Sequence, residues 1–394
     1  MNSLITPQQA DALIRESIEA LPPEKVAFSS ALHRTLRQPL IADRDFPPFN
    51  RVTMDGIACR SDEISLGTLT IQGLHPAGSP LPEALKPAHC WQIMTGAIMP
   101  PDCDTIIPVE ELTLSETHAS VSSDFTPTSG LFIHNQGSDC ALGSELLSPG
   151  TLLSPNHLGL AASIGATELL VTRQPRLTIL TTGDELVPPE ETPLPHQLRR
   201  SNGTVLQAAT QSTGLRLTPT LRHLPDDLTI TIAALQEALS SSDLILLSGG
   251  ISKGKKDFIR PALQELIGPP TFHGLAQRPG KPLAYWKPSK DNPALFALPG
   301  NPNSTHTTFL RYVRPALSLL AGNSIPQATT LPLIAPEQAH PKLTLFLPAN
   351  LTANGNVSLC KPQNSGDFAS ALSATGFVEI PPGTNQVRTA AYFF

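Results

Sequence analysis

From about residue 176 onward, strand-type and helix-type segments alternate, and this alternation limits the fold more than any other feature. "RLTILTT" reads as a strand, and "SNGTVLQAATQSTG" as a helix capped by Ser201 or Asn202 and closed by Gly214. "LRLTPTLRHL" reads as a strand, and "DDLTITIAALQEALSSS" as a helix capped by Asp226 or Asp227. "DLILLS" is a strand and "DFIRPALQELIG" a helix; "LFALPGNPNSTHTTFLRYVRPALSLLAG" is strand, turn and long helix. Segments spaced this way predict a parallel, doubly wound sheet with helices on both faces. In such sheets ligands bind beyond the carboxyl ends of the strands.

The flanking segments differ. "TPQQADALIRESIEAL" predicts a helix with Thr6 as N-cap, Pro7 at the first helical position and Gln9 completing a capping box, stopped by Pro22-Pro23. Between about 45 and 150, short alternating runs such as "GTLTIQGL" and "THASVSSDF" lie among Pro, Gly and Ser clusters and predict a β-rich module. "SPNHLGLAASIGATELLV" returns to helix and then strand. The tail, "KLTLFLPANLTANGNVSLCKP", predicts a hairpin around Asn354-Gly355. The expected architecture is multidomain α/β plus β. A discontinuous helical or linker domain would span 1–45 and 142–174, and the β-rich module 46–141. A doubly wound α/β domain would span 175–323, and a C-terminal β-barrel-like domain 324–394.

Composition narrows the classes of partner. The 41 prolines, about a tenth of 394 residues against a usual ~5%, are scattered, so they mark rigid turns between short elements and not a disordered tail. A formal charge of −6 with no long basic run argues against nucleic acid as the main partner. A local field can still attract a small anion. Five cysteines without CxxC spacing read as reduced thiols and point to a cytoplasmic protein. No run of 18 apolar residues suggests a membrane span.

The chemistry collects after the predicted strands. "TTGDEL" places Asp184 and Glu185 after the first, "PDD" follows the second, and "SGGISKGKKDF" (248–258) the third. "QRPGKP" (277–282) and "LPGNP" (298–302) follow two later strands. Each stretch also has a plain structural explanation: a glycine turn, a helix cap, a solvated lysine face. Together, at one rim, they fit one kind of ligand. Backbone amides at Gly249, Gly250 and Ser252, with Lys253, can cradle a phosphate at a helix N-terminus. Arg278 offers a bidentate fork and Lys281 a point charge. Glu185, Asp226 and Asp257 are hard oxygen donors suited to Mg²⁺ bridging phosphates. The glycine pattern matches neither the P-loop nor the dinucleotide fingerprint.

This ordered set resembles the molybdopterin molybdenumtransferase family, the MoeA family that includes the gephyrin E domain. The resemblance rests on "MDG" (54–56), "MTGA" (94–97), "TGDEL" (182–186), "SGGIS" (248–252) with Asp257, "RPGKP" (278–282) and "LPGNP" (298–302). It implies insertion of molybdate into adenylylated molybdopterin with release of AMP and assistance from Mg²⁺. It also implies a homodimer in which each cleft combines the α/β domain of one subunit with the β-rich module of the other. By position, Asp55 and Thr95 would come from the partner subunit. Glu185, Asp226 and Asp257 would be acidic catalytic residues and metal ligands, with Asp139 a further acidic position. Arg278 and Lys281 would bind anions, and Pro299 and Pro302 would shape the closing loop.

Four positions depart from the family pattern. Ser138 stands where Glu is frequent, Arg200 where Asp usually precedes Ser-Asn, Ile57 where Tyr is common, and Arg278 where Lys is common. The related molybdopterin adenylyltransferase shares the α/β domain but is usually a single domain. A non-catalytic scaffold of the gephyrin type would need extra domains and a linker.

Overall fold

The computed structural model describes residues 4–250, 258–325, 327–360, 367 and 369–393. It divides into two units. One comprises Met1–Arg37, Pro149–Pro155 and Glu168–Phe394; the other comprises Gln38–Ser148 and Asn156–Thr167.

The first helix, α1 (Pro7–Ser17), carries the predicted capping box: Gln9 N donates to Thr6 Oγ1 and Thr6 N donates to Gln9 Oε1. It ends four residues earlier than "IEAL" suggests. Ser17 Oγ donates back to the Leu13 carbonyl, and Ile18 turns extended to enter the core at 5% exposure. Burial of Ile18 thus outweighs helix propensity there. The chain continues into a strand, Pro23–Ala27, which pairs antiparallel with Glu168–Thr172.

The smaller unit is built on six strands: β1 (Gly56–Cys59), β2 (Thr68–His75), β3 (His89–Ile93), β4 (Thr105–Pro108), β5 (Leu112–Leu114) and β6 (His118–Val121). Their order is β4-β1-β3-β2-β6-β5, with β2 and β3 parallel and the other pairs antiparallel. β1 is buried on both faces: Ile57 and Cys59 pack with Leu69, Cys90 and Ile107, while Ala58 packs with Val52, Ile93 and Ile106. All five cysteines are free. Burial raises the thiol pKa of Cys90 and Cys103 to about 12, which keeps both protonated and unreactive. Helix α2 (Pro155–Ser163) follows.

The larger unit contains β7 (Leu177–Thr182), α3 (Asn202–Gln211), β8 (Thr220–Leu224), α4 (Leu228–Ser241), β9 (Leu244–Ser248) and α5 (Ile259–Leu266). It continues with β10 (Phe272–His273), β11 (Gln277–Arg278), β12 (Ala284–Trp286), β13 (Ala294–Leu298), α6 (Pro302–Thr308), a π-helical turn (Phe309–Val313) and α7 (Arg314–Leu320). The sheet order is β8-β7-β9-β13-β12-β10. The first four strands are parallel, as expected, but β12 runs antiparallel between β13 and β10, so the sheet is mixed. One face buries Ile179, Leu246 and Phe296 under α1, α3 and the 309–321 helix. The other buries Leu180, Leu247 and Leu295 under α4 and α5. The central strands are apolar on both faces because both are covered. The predicted strand "LRLTPTLRHL" narrows to Thr220–Leu224.

The tail forms β14 (Thr329–Gln338), β15 (Thr344–Leu351), β16 (Val357–Leu359), β17 (Gly376–Ile380) and β18 (Gln386–Phe393). β15 and β16 pair antiparallel around Asn354-Gly355, as the sequence predicts. The order β11-β15-β16-β14-β18-β17, with a further β15–β17 pairing, curls the sheet back on itself. Among the described residues no helix is long and apolar enough to cross a membrane.

Candidate functional site

Strand order reverses between β7 and β9: the chain leaves β7 for β8 on one side and then crosses to β9 on the other. A crevice at such a point lies outside the carboxyl ends of the two strands. Gly183 follows β7, and Gly249 and Gly250 follow β9. Gly249 has φ +96, and a Cβ there would lie 2.8 Å from the Thr182 carbonyl oxygen and 3.0 Å from its Oγ1. Bare backbone is therefore required where the two strand ends meet. Ser252, Lys253 and Asp257 of the same loop lie outside the described residues.

Asn202 fastens this rim. The sequence suggests Ser201 or Asn202 as a helix cap, yet Ser201 makes no side-chain cap bond and Asn202 is already helical. Asn202 Nδ2 instead donates to Ser248 Oγ (2.9 Å) and to the Gly300 carbonyl (2.7 Å), joining the ends of β9 and β13. Its Oδ1 is buried and has no hydrogen-bond partner among the described residues. The "SN" pair before the first helix was the available signal, but capping statistics explain it equally well without tertiary context.

The acidic residues stand on the neighbouring turns. Glu185 is exposed, and its carboxylate folds back over Gly183, where a Cβ would approach Glu185 Oε2 to 2.7 Å. Asp226 N donates to Asp184 Oδ1 at 3.0 Å, which links the turns after β7 and β8. The cap of α4 is Asp227, whose side chain accepts from Ile230 N. His223 Nδ1 lies 3.0 Å from Thr181 Oγ1. Burial, reinforced by the nearby Arg200 charge, lowers the His223 pKa, so its imidazole is neutral at pH 7. Arg200 Nε donates to the Leu186 carbonyl at 3.1 Å, so this departure from the family pattern braces the Glu185 turn.

No group of three His, Cys, Asp or Glu among the described residues has metal-binding geometry. Glu185 and Asp226 still suit Mg²⁺, which takes one or two carboxylates and completes its shell with water and substrate phosphates.

The basic turn follows a strand of the sheet, as the sequence suggests. "QRPGKP" follows β10, which is antiparallel to β12 and so runs in the same direction as β13. It precedes β12, whose antiparallel pairing sets Ala284 opposite Ala297, beside the carboxyl end of β13. Arg278 and Lys281 are both exposed. Beneath them, buried Gln277 donates from Nε2 to the Pro279 carbonyl (2.9 Å) and accepts from Tyr312 Oη at Oε1 (2.5 Å). Pro299 is buried and its carbonyl accepts from Thr305 Oγ1, while Pro302 opens α6.

In the smaller unit Asp55 and Thr95 meet directly. Thr95 N (2.6 Å) and Thr95 Oγ1 (2.7 Å) both donate to Asp55 Oδ1. The backbone bond first, and then the hydroxyl, lower the Asp55 pKa. Next to Asp55, Gly56, φ +153, lets β1 pair closely with β4, because a Cβ there would overlap the Ile107 carbonyl oxygen. Asp139 accepts from His134 Nε2 at 2.7 Å and is thereby committed to an ion pair whenever the histidine is charged.

A cavity of about 570 Å³ opens at the opposite, amino end of the parallel strands, lined in part by Glu19, Arg176, Asp243 and Lys290. Its Asp243 is consumed by Arg173 and Arg176, so the chemistry concentrates at the carboxyl rim.

Comparison with known proteins identifies the family. Residues 5–165 match the MoeA N-terminal region (domain I and II), and residues 178–319 match the probable molybdopterin binding domain. The chain is 34% identical over 354 residues to a molybdopterin molybdenumtransferase of Synechocystis sp., covering 88% of each. It is 32% identical over 369 residues to one of Synechococcus elongatus, covering 91% of each. Its fold matches the crystal structure of the molybdopterin biosynthesis MoeA protein of Pyrococcus horikoshii with TM-score 0.82 at 24% identity, covering 99% of each chain. The chain therefore belongs to the molybdopterin molybdenumtransferase family.

Proposed function

We propose that this protein inserts molybdate into adenylylated molybdopterin and releases AMP. The observation that carries the reading is the convergence at one sheet rim of bare glycine backbone, the Glu185 and Asp226 turns, and the Arg278–Lys281 turn. The amides after β9 suit phosphate oxygens, which carry no side-chain requirement and need close approach. Arg278 and Lys281 supply positive charge for the pterin phosphate or the molybdate oxyanion. Glu185 and Asp226, together with Asp257, would hold Mg²⁺. Bound there, the ion would neutralise charge developing on the phosphoanhydride as AMP leaves. Thr95 fixes Asp55 in its ionised form, ready to orient a donor group.

The family resemblance supports a homodimer in which Asp55 and Thr95 of one protomer complete the site on its partner. The adenylyltransferase reading has less support, because residues 5–165 match the MoeA N-terminal region as well. The test is to incubate purified protein with adenylylated molybdopterin, molybdate and Mg²⁺ and to follow AMP. Catalytic AMP release that rises with molybdate is expected. Intact adenylylated substrate after prolonged incubation with folded protein would overturn the reading.

A further inference from the structure

The basic turn is an exposed loop, yet its geometry is set from below by a buried polar pair. Gln277 is 1% exposed and Tyr312 is fully buried. A glutamine amide inside a core must find partners for both ends, and this one does. Oε1 accepts from Tyr312 Oη at 2.5 Å, and Nε2 donates to the Pro279 carbonyl at 2.9 Å. Gly280, φ +88, leaves no room for adjustment: a Cβ there would lie 2.6 Å from both Gln277 Nε2 and Thr308 Cγ2. The outer edge is zipped by Leu275 N donating to the Lys281 carbonyl at 2.8 Å, and by pairing of Gln277 and Arg278 with Thr344 and Leu345. Tyr312 itself stands on the π-helical turn Phe309–Val313. The extra residue of such a turn re-aims side chains, and these turns recur at functional sites. The neighbouring Arg311 fixes that turn through Asp11 (2.7 Å) and Glu379 (2.8 Å).

We propose that Gln277 and Tyr312 are positioning residues for anion binding: their hydrogen-bonded chain holds the 278–281 turn so that Arg278 and Lys281 face one ligand. This rests on the function proposed above, in which those two cations meet the substrate. Neither Gln277 nor Tyr312 touches the ligand. Their contribution lies in preorganisation, which lowers the ordering cost of binding and leaves the bond-breaking step alone.

Three variants separate this role from mere stability: Tyr312→Phe, Gln277→Leu, and the two combined. Tyr312→Phe removes the partner of Gln277 Oε1, and Gln277→Leu removes the partners of both Tyr312 Oη and the Pro279 carbonyl, so each should lower Tm. The combined change also removes the Tyr312 hydroxyl and should recover the part of the loss that came from the Gln277–Tyr312 pair. Substrate affinity should follow a different course. KM for adenylylated molybdopterin should rise about three- to tenfold in the single variants and stay raised in the double, with kcat within about twofold of wild type. In a Lys281→Ala, Arg278→Ala background the same changes should no longer affect KM, since no cation remains to be positioned. A double variant with wild-type KM would overturn the proposal, as would full additivity with the cation deletions. Absence of AMP release from wild type would instead reject the underlying functional reading, and the proposal with it.

Discussion

Replacing Gly249 with alanine tests whether the strand ends at the switch point meet as closely as described. Two costs add. The φ of +96 is one that L side chains rarely adopt, and such backbone strain costs about 1–3 kcal/mol. The new methyl would also stand 2.8 Å from the Thr182 carbonyl oxygen, which ends a strand buried at all six positions and has little freedom to retreat. Overpacking of that kind costs a further ~1–3 kcal/mol. Gly268 is the control in the same unit: its φ is +78, but a Cβ there meets nothing within 4 Å, so Gly268→Ala should show strain alone. Urea unfolding followed by fluorescence of Trp286, which is buried in the same sheet on β12, reads both variants. Gly249→Ala should lose about 2–6 kcal/mol and Gly268→Ala about 1–3 kcal/mol. The folded fraction of Gly249→Ala should also release AMP slowly. Equal losses in the two variants would refute the close approach at the crevice.

Lys281→Ala, at an exposed position, should weaken substrate affinity about ten- to hundredfold with little change in Tm; equal affinity by titration would remove Lys281 from the site. Asp243 should give a pH signature. Its burial opposes its charge, but hydrogen bonds from Arg173 and Arg176 prevail and hold its pKa at about 2. Its stabilisation is thus fully present above the unfolded carboxylate value of about 3.9 and disappears as pH falls through about 2. The Tm gap between wild type and Asp243→Asn should be constant from pH 7 to 5 and close toward pH 2; a gap unchanged at pH 2.5 contradicts this. Finally, mixing Asp55→Ala with Lys281→Ala protomers should restore about half of wild-type activity if clefts are shared, since one site escapes both lesions. A verified mixed dimer without recovery rejects shared clefts.

Local chemistry was the legible part of this fold. The Thr6–Gln9 capping box and the Asn354-Gly355 hairpin depend on neighbours in sequence, and both appear as read. Strand direction was less legible. "LAYW" pairs antiparallel to β13 because the preceding turn brings it back along the sheet, and no periodicity encodes that return. Helix α1 stops at Ser17 because Ile18 finds the core, a tertiary gain that propensity does not register. At the site, the acidic and basic residues stood out by type. The residues that hold them did not: Asn202 passed for a cap, Gln277 was read only as the start of "QRPGKP", and Tyr312 only as part of a long helix.

In the proposed function, AMP release and metal insertion belong to one reaction on this protein. The direct measurement supplies adenylylated molybdopterin and Mg²⁺ with graded molybdate, and quantifies AMP alongside molybdenum bound to the pterin. Cofactor formation is scored by activation of a molybdenum-free apoenzyme. One AMP per molybdenum inserted is expected, with both rising together and saturating at the same molybdate concentration. AMP release at full rate with no molybdenum reaching the pterin would contradict it.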